Sequence, residues 1–354
     1  MAAPPFLVEL VTAIGPSGHE GSAAQVWRDH CASFTDDVHG DQVGSSFARV
    51  KGTADPPAPT LAVVGHIDEI GVHISHIDDD GFVKFGQVGG WDPIVLIGQR
   101  VLLETRGGTV PGVIARKPIH LLKDEERKQV PELKDLHIDI GAKDGDEARA
   151  LVRIGDVAVI DAEPLQIRHD LLVSRSLDNR IGCYVAAEAA RLVAEAGGAP
   201  GEMLALAVTQ EETGLAGART SAFRHKPDVA VVVDVTHATD QPGVQLGEMT
   251  EHKLGSGPVI ARATSLHPAV FELLHETAEK AGIPFTVESL ARGTGTDADA
   301  IFISRSGVST GLVSVPCRYM HSPVEMVQLD DVDACARLIA AYARRLPADA
   351  SFQR

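Results

Sequence analysis

Residues 229–240, VAVVVDVTHATD, decide the fold of this chain. The first five residues are mostly β-branched, which is typical of a strand that is buried on both faces of a sheet. The run ends at Asp234, and a carboxylate in such a place is costly unless it is paired or coordinated. The stretch therefore predicts a central strand with a functional side chain at its end.

Strands and helices alternate outward from this central strand. We predict other strands at 60–64, 203–208, 284–288 and 308–314, and helices at 20–33, 178–195, 266–281, 297–305 and 330–346. This alternation is typical of an α/β fold in which a mixed, mostly parallel sheet is sandwiched by helices.

Residues 71–165 have a different pattern. Their short β-type runs are separated by Gly, Asp and Pro, which predicts a small inserted β-barrel. We therefore expect a discontinuous α/β domain, residues 1–70 and 166–354, that is interrupted by a β domain at 71–165. Within the insertion, the charged segment 117–139 is predicted to be an exposed loop.

Composition and charge restrict the classes of function. The chain has 354 residues, of which 44% are hydrophobic and 23% charged, a balance that excludes disorder or a fibre for most of its length. The formal net charge of −17 argues against binding nucleic acid or anionic membranes and favours cations. No apolar run reaches ~20 residues, the start lacks the pattern of a secretory signal, and the four cysteines form no CxxC pair. We therefore expect a cytoplasmic protein with reduced thiols.

The segment VVGHIDEIGV, residues 63–72, carries the first candidate site. His66 follows an apolar strand, and Asp68 lies two residues further on. Residues i and i+2 of an extended chain point to the same side, so Asp68 could accept the second N–H of an imidazole that binds a metal. A surface pair at a polar strand end remains the alternative.

Other candidates stand at predicted strand ends or helix starts, where ligands of open α/β sheets collect. Glu211 and Glu212 follow the strand at 203–208, and two adjacent carboxylates repel each other unless cations are near. Asp178 stands where a helix should begin, and when this segment is taken alone an N-cap is the favoured explanation. His321 follows a strand and a loop, and exposure to solvent explains it as well.

Together these residues supply two histidines and several carboxylates without a cysteine, which suits Zn²⁺, Co²⁺ or Mn²⁺ in a hydrolytic site. Five or six protein ligands are more than one catalytic zinc uses. Two metal ions that share one carboxylate account for the excess, and a spare glutamate could then act as general base.

The chain resembles a known family, the tetrahedral (TET) aminopeptidases, which are cytoplasmic di-metal exopeptidases. The resemblance rests on GPSGHE at 15–20, GHIDEIG at 65–71, GGWDP at 89–93, LDNR at 177–180, QEETGLAGA at 210–218, Asp234, GTDADAI at 295–301 and YMHSPVE at 319–325. It covers nearly the whole chain, with one departure at Asp299, where the family more often has glycine.

The resemblance implies a role for each candidate residue, in a catalytic domain of the zinc-peptidase type. His66 and Asp234 would bind one metal ion, Glu212 and His321 would bind the other, and Asp178 would bridge them. Glu211 would be the general base, and Asp68 would orient His66. The implied substrates are short peptides with a free N-terminus, and the implied assembly is a dodecamer built from dimers that the β domain joins.

Three alternatives stay open from the sequence. A di-metal deacylase acting on N-acyl amino acids would use the same ligands. A glycoside hydrolase with a carboxylate pair is less compatible, because adjacent glutamates diverge instead of flanking one bond. A non-catalytic metal-binding protein is the third alternative. The preferred N-terminal residue and the identity of the metal are not encoded in these motifs.

Overall fold

The computed structural model describes residues 2–55, 58–245, 247 and 250–353. The chain begins with two helices and three strands of the main sheet. They are α1 (Pro5–Thr12), α2 (Gly21–Cys31), β1 (Val38–Gly40), β2 (Ser46–Val50) and β3 (Ala58–His66). The strand predicted at 60–64 thus extends to His66 itself, which places this histidine at the strand end.

The next part of the chain closes into a six-stranded antiparallel barrel. Its strands and short helices are β4 (Gly71–Ile77), β5 (Val83–Val88), α3 (Pro93–Leu96), β6 (Arg100–Thr105), β7 (Gly108–Arg116), β8 (Leu136–Asp139), α4 (Gly145–Leu151) and β9 (Val157–Ile160). An apolar interior that includes Ile74, Leu103 and Ile138 fills the barrel.

The remainder of the chain returns to alternating strands and helices. Its elements are β10 (Leu165–Ile167), β11 (Leu171–Ser174), α5 (Leu177–Glu195), β12 (Gly201–Val208), α6 (Ala216–His225), β13 (Val229–His237), β14 (Val259–Ala263), α7 (Pro268–Ala281), β15 (Thr286–Leu290), α8 (Ala298–Ile301), β16 (Ser309–Cys317), β17 (Glu325–Gln328) and α9 (Leu329–Arg345).

The main sheet has eight strands in the order β1-β2-β12-β3-β13-β16-β14-β15. The four central strands, β12, β3, β13 and β16, run parallel to one another, whereas β2 and β14 pair antiparallel with their central neighbours. A separate three-stranded sheet, β10-β11-β17, lies beside it. The predicted fold class, a mixed sheet between helices with a β-barrel, is confirmed.

The central strand β13 is buried on both faces, as its composition predicts. Val231 and Val233 belong to the core beneath α1, α2, α5, α7 and α9. Ala230 and Val232 belong to a second core beneath α6 and α8. Because side chains alternate along a strand, Asp234 faces the same side as Val232.

A buried ionic cluster joins the start of the chain to this core. The guanidinium of Arg180, in the first turn of α5, donates hydrogen bonds to the carbonyls of Leu10, Ala13 and Ile67. It also donates to Glu69 at 2.9 Å, and Arg175 pairs with the other oxygen of Glu69. The cluster fixes α1 and the end of β3 against the start of α5.

The sequence-based boundaries are wrong in three places. Segment 117–139 is not a loop throughout, because residues 136–139 form β8 and pair with β5 and β7; the rest holds three short 3-10 turns. The helix predicted at 297–305 contains only α8, residues 298–301. The helices α1 and α6 and the strands β11, β14 and β17 are among the elements that were not predicted.

Candidate active site

Parallel strands bring His66 and Asp234 to the same edge of the sheet. Val64 of β3 pairs with Val232 of β13, so the residues two positions further on, His66 and Asp234, lie side by side on the same face. The Nε2 atom of His66 is 4.0 Å from Oδ1 of Asp234. Both side chains are buried.

Asp178 enters this site from the start of α5. A Cβ atom on Gly65 would collide with the backbone of Gly182 and Cys183, so glycine at this position lets α5 lie directly against β3. Asp178 has extended backbone angles and precedes the regular helix. The backbone N–H of Gly182 in the first turn donates to the side chain of Asn179, whereas the carboxylate of Asp178 faces histidines, so Asp178 does not act as the N-cap that the sequence left open.

The two carboxylate oxygens of Asp178 face two different histidines. Oδ1 lies 3.2 Å from Nε2 of His66, and Oδ2 lies 3.3 Å from Nε2 of His321. Nε2 of His321 is also 3.3 Å from Oε1 of Glu212. Asp178 thus belongs to two groups of candidate ligands, His66–Asp178–Asp234 and Asp178–Glu212–His321. In each of these, and in a third group, His66–Glu211–Glu212, the ligand atoms lie within 4.8 Å of one another.

Both histidines have their other ring nitrogen held by an oxygen. Nδ1 of His321 lies 2.9 Å from the carbonyl oxygen of Gly90, in the loop that follows β5. Nδ1 of His66 lies 3.2 Å from the carbonyl of Asp68 and 3.5 Å from its carboxylate. These contacts fix Nδ1 of each ring as a hydrogen-bond donor, so that Nε2 of each ring faces the carboxylates.

The adjacent glutamates lie in a turn and not in the extended strand from which we expected them to diverge. Asp68 fixes that turn, because its carboxylate accepts hydrogen bonds from the backbone N–H groups of Glu211 and Glu212 at 3.0 and 3.1 Å. Oε2 of Glu211 lies 3.8 Å from Nε2 of His66, while Glu212 faces His321. Asp68 therefore positions both glutamates as well as His66.

Several residues that support the site were not assigned a role from the sequence. Glu325 is buried, and its carboxylate accepts hydrogen bonds from the N–H of Asp178 at 3.0 Å and of His321 at 2.9 Å. Ser17 donates a 2.5 Å hydrogen bond to Asp68. Glu20 accepts hydrogen bonds from the Thr209 hydroxyl and the N–H of Gln210. Ser17, Glu20 and Glu325 lie in motifs quoted for the family resemblance, and that position was the only indication in the sequence that they support the site.

The electrostatics of the site favour bound cations. Within the described residues, the carboxylates of Asp178, Glu211, Glu212 and Asp234 pair with histidines and with no lysine or arginine. Burial raises the pKa of Glu211 to about 7 and that of Asp234 well above its usual range. Hydrogen bonds to Asp178 and Glu212 raise the pKa of His321 to about 11. The carboxylates thus stabilise positive charge near Nε2 of His321, and the imidazole and carboxylate donors fit divalent metal ions.

The site opens into a cavity of about 630 Å³. Leu215, Leu290, Leu312 and Met320 supply apolar parts of its wall, and Thr294, Gly295 and Thr296 supply a loop at its edge. A cavity of this volume is within the range of small-molecule sites. It provides room for a substrate next to the carboxylates.

Comparison with known proteins identifies the family. A family model described as M42 glutamyl aminopeptidase matches residues 44–338. The lysyl aminopeptidase of Pyrococcus furiosus is 33% identical over 344 residues, which cover 96% of each chain.

Solved structures agree with this comparison. A TET aminopeptidase from a marine sediment Thaumarchaeota archaeon superposes with a TM-score of 0.91 at 34% identity, covering 96% of this chain and 95% of that chain. The TET1 peptidase of Pyrococcus horikoshii gives a TM-score of 0.84 at 31% identity, with coverages of 96% and 99%. The chain therefore belongs to the M42 family, and it is an aminopeptidase.

Proposed function

We propose that the chain binds two divalent metal ions and uses them to remove N-terminal residues from short peptides. His66 and Asp234 would hold one ion, Glu212 and His321 would hold the other, and Asp178 would bridge the pair. The observation that carries this proposal is the position of Asp178, whose two oxygens face two histidines at 3.2 and 3.3 Å.

The donor set supports zinc as the proposed metal. Two imidazoles and several carboxylates, without a thiolate, suit Zn²⁺, with Co²⁺ and Mn²⁺ as alternatives. The family consists of metallopeptidases, so this chain uses divalent metal ions; zinc is the ion that we propose.

Glu211 is the proposed general base. When bound, two divalent ions polarise the scissile carbonyl and lower the pKa of a water molecule. The carboxylate of Glu211 takes a proton from the attacking water and delivers it to the departing amine. Asp68 holds Glu211 in place through the backbone hydrogen bond of 3.0 Å, and it thus acts as a positioning residue.

Variants at Glu211 and Asp178 test these two roles. We expect Glu211→Gln to lower kcat by about 10²–10⁴-fold, as loss of a general base does, while the metal content measured by elemental analysis stays at the wild-type level. Asp178→Ala should lose both metal and activity. Glu163→Gln, at an exposed position, is the control for loss of one charge.

Two outcomes would contradict the assignments. Loss of metal in Glu211→Gln would make Glu211 a ligand, and a metal-replete, active Asp178→Ala would remove the bridging role. Substrate class is tested separately, with chelator-treated protein resupplied with Zn²⁺, Co²⁺ or Mn²⁺. Cleavage of aminoacyl-4-nitroanilides but not of their N-acetylated forms is expected, because the proposed site receives a free α-amine.

The β domain, residues 71–165, is the proposed dimerisation domain of a homo-oligomer. Ile119, Leu121 and Val130 are each more than 60% exposed on the segment 117–139, next to a groove of about 500 Å³ between this segment and the barrel. Large exposed apolar residues that lie close together are typical of interaction surfaces. The Pyrococcus horikoshii TET1 peptidase can assemble into a tetrahedron or a large octahedral shell, and for this chain we propose a dodecamer that is built from dimers.

The cytoplasm is the proposed location. All four cysteines are free and buried in the structure, which supports a protein that works in a reducing compartment.

A further inference from the structure

One carboxylate in the cavity has no role in the proposed reaction. Glu288 of β15 lines the same cavity as His66, Asp178 and Glu211, but it belongs to none of the three groups of candidate metal ligands. It is half-buried at the edge strand of the main sheet. Glu288 is therefore a candidate for contact with the substrate.

The position of Glu288 relative to the reaction centre is set by β13. Asp234 and Thr236 are two residues apart on this strand, so they face the same side and their Cα atoms are about 7 Å apart. The hydroxyl of Thr236 donates a hydrogen bond of 3.2 Å to Oε1 of Glu288. Glu288 is therefore separated from the candidate metal ligands by roughly the length of a lysine or arginine side chain.

The surroundings of Glu288 favour a cationic guest. None of the described residues that line the cavity is a lysine or an arginine. Burial raises the pKa of Glu288, while the hydrogen bond from Thr236 and the charge of His237 lower it. A partly buried carboxylate without an arginine or lysine partner gains most from an ammonium or guanidinium group that arrives with the substrate.

Apolar side chains in the wall of this cavity suit the aliphatic part of a lysine or arginine side chain. Leu290 and Leu312 line the cavity together with Glu288, and lysine and arginine bury their methylene groups along apolar surfaces while the charged end remains in a polar environment. The net charge of −17 also raises the local concentration of cationic peptides.

We propose that Glu288 determines specificity by binding the side-chain cation of an N-terminal lysine or arginine, so that this aminopeptidase prefers basic N-terminal residues. The inference rests on the proposed function, because the α-amine and first carbonyl must lie at the candidate metal ligands for the side chain to reach Glu288. A role in binding the α-amine itself is the competing explanation.

The test compares 4-nitroanilides of Lys, Arg, Leu, Met and Glu on the metal-replete protein. We expect the highest kcat/KM for Lys and Arg. Glu288→Gln should lower kcat/KM for these two by about 10- to 100-fold, as expected when a hydrogen bond between charged groups is lost, and leave Leu and Met nearly unchanged. Glu288→Lys should reverse the order and favour Glu. Glu272→Gln, an exposed carboxylate on α7, is the control.

Each contrary result has a distinct meaning. Cleavage of Leu and Met without a preference for Lys and Arg overturns the specificity inference and leaves the proposed function intact. An equal loss for all five substrates in Glu288→Gln, with circular dichroism and metal content unchanged, assigns Glu288 to the α-amine and also overturns it. Failure of the wild type to cleave any of the five substrates defeats the proposed function.

Discussion

Individual residues of the site are held by partners that are distant in the sequence. Nδ1 of His321 contacts the carbonyl of Gly90, and the N–H of His321 donates to Glu325. His321 has a left-handed backbone, with φ of 58°, which is uncommon for a residue other than glycine. The loop keeps this conformation because contacts at both ends of the residue determine it.

Glu325 offers a test at the scale of one residue. We expect Glu325→Gln to lower metal affinity about 10- to 100-fold, the usual effect of losing a partner that orients metal ligands. The substituted amide keeps the volume of the side chain, but its NH₂ group faces one of the two N–H donors, from Asp178 and His321, that the carboxylate accepts. Competition with a zinc-buffering chelator measures the change.

Glu163→Gln is the matched control for this variant. If Glu325→Gln keeps wild-type zinc affinity, the two hydrogen bonds do not orient the ligands. If it unfolds, shown by loss of the circular dichroism signal, the semi-conservative variant Glu325→Asp separates stability from metal affinity.

The sequence predicts the seven candidate residues because each stands at a strand end, at a helix start or in a motif. The structure brings all seven together, although their roles remain predictions. Contacts such as Ser17 to Asp68 and Gly90 to His321 could not be predicted. They join segments that are far apart in the chain, and only the tertiary fold determines which side chain meets which backbone group.

At the scale of elements, Asp299 explains how one wall of the cavity is held. This residue of α8 accepts hydrogen bonds from the N–H groups of Thr294 and Gly295, both at 2.9 Å, and from the Ser265 hydroxyl at 3.1 Å. Its carboxylate therefore organises the loop at 293–297, which borders the substrate cavity. The family more often has glycine at this position, which has no carboxylate to accept these hydrogen bonds.

We expect Asp299→Ala to raise KM roughly tenfold, about the value of one charged hydrogen bond, while kcat changes little. The reason is that the loop loses its acceptor, whereas the metal ligands and Glu211 are not touched. Alanine keeps the propensity of α8 for helix, which glycine would reduce by about 1 kcal/mol. Steady-state kinetics on the preferred 4-nitroanilide measures the split.

Asp299→Asn serves as the comparison, because it retains one acceptor oxygen and should have an intermediate KM. A fall in kcat with KM unchanged would mean that the loop contributes to the chemical step and not to substrate binding. Wild-type KM and kcat in both variants would show that Asp299 does not support the cavity loop.

Elements with a strong hydrophobic periodicity, such as α5, were predicted well, and elements with a weak one, such as α6, were missed. The helix predicted at 178–195 matches α5 (Leu177–Glu195). Helix α6 escaped prediction because its buried side consists only of small residues, Gly217, Ala218, Ser221 and Ala222, which give almost no hydrophobic periodicity.

On the scale of the whole molecule, the family determines the class of activity, and the assembly is a proposal. None of the helices in the described ranges combines the length and apolar character needed to cross a membrane. The family and its relatives favour the aminopeptidase over the deacylase and the glycoside hydrolase. Assembly then remains the main property to be tested for the complete molecule.

We expect Ile119→Asp combined with Leu121→Asp to shift the protein from the proposed assembly toward monomers, because the substitutions place charges on the apolar surface of the proposed dimerisation domain. Analytical ultracentrifugation measures the shift. Ile303→Asp is the control, since Ile303 is similarly exposed but lies outside the barrel. An unchanged sedimentation coefficient in the double variant would place the dimer contact elsewhere.

The buried cluster around Arg180 has a consequence for truncated forms of the protein. The family match begins at residue 44, yet the carbonyls that receive the guanidinium belong to Leu10 and Ala13. A shortened gene that starts at the family boundary would leave a full positive charge without two of its acceptors in a dry interior, beside the helix that carries Asp178. Recombinant expression should therefore retain the first 43 residues, and fusion tags should be placed where they do not disturb the packing of α1.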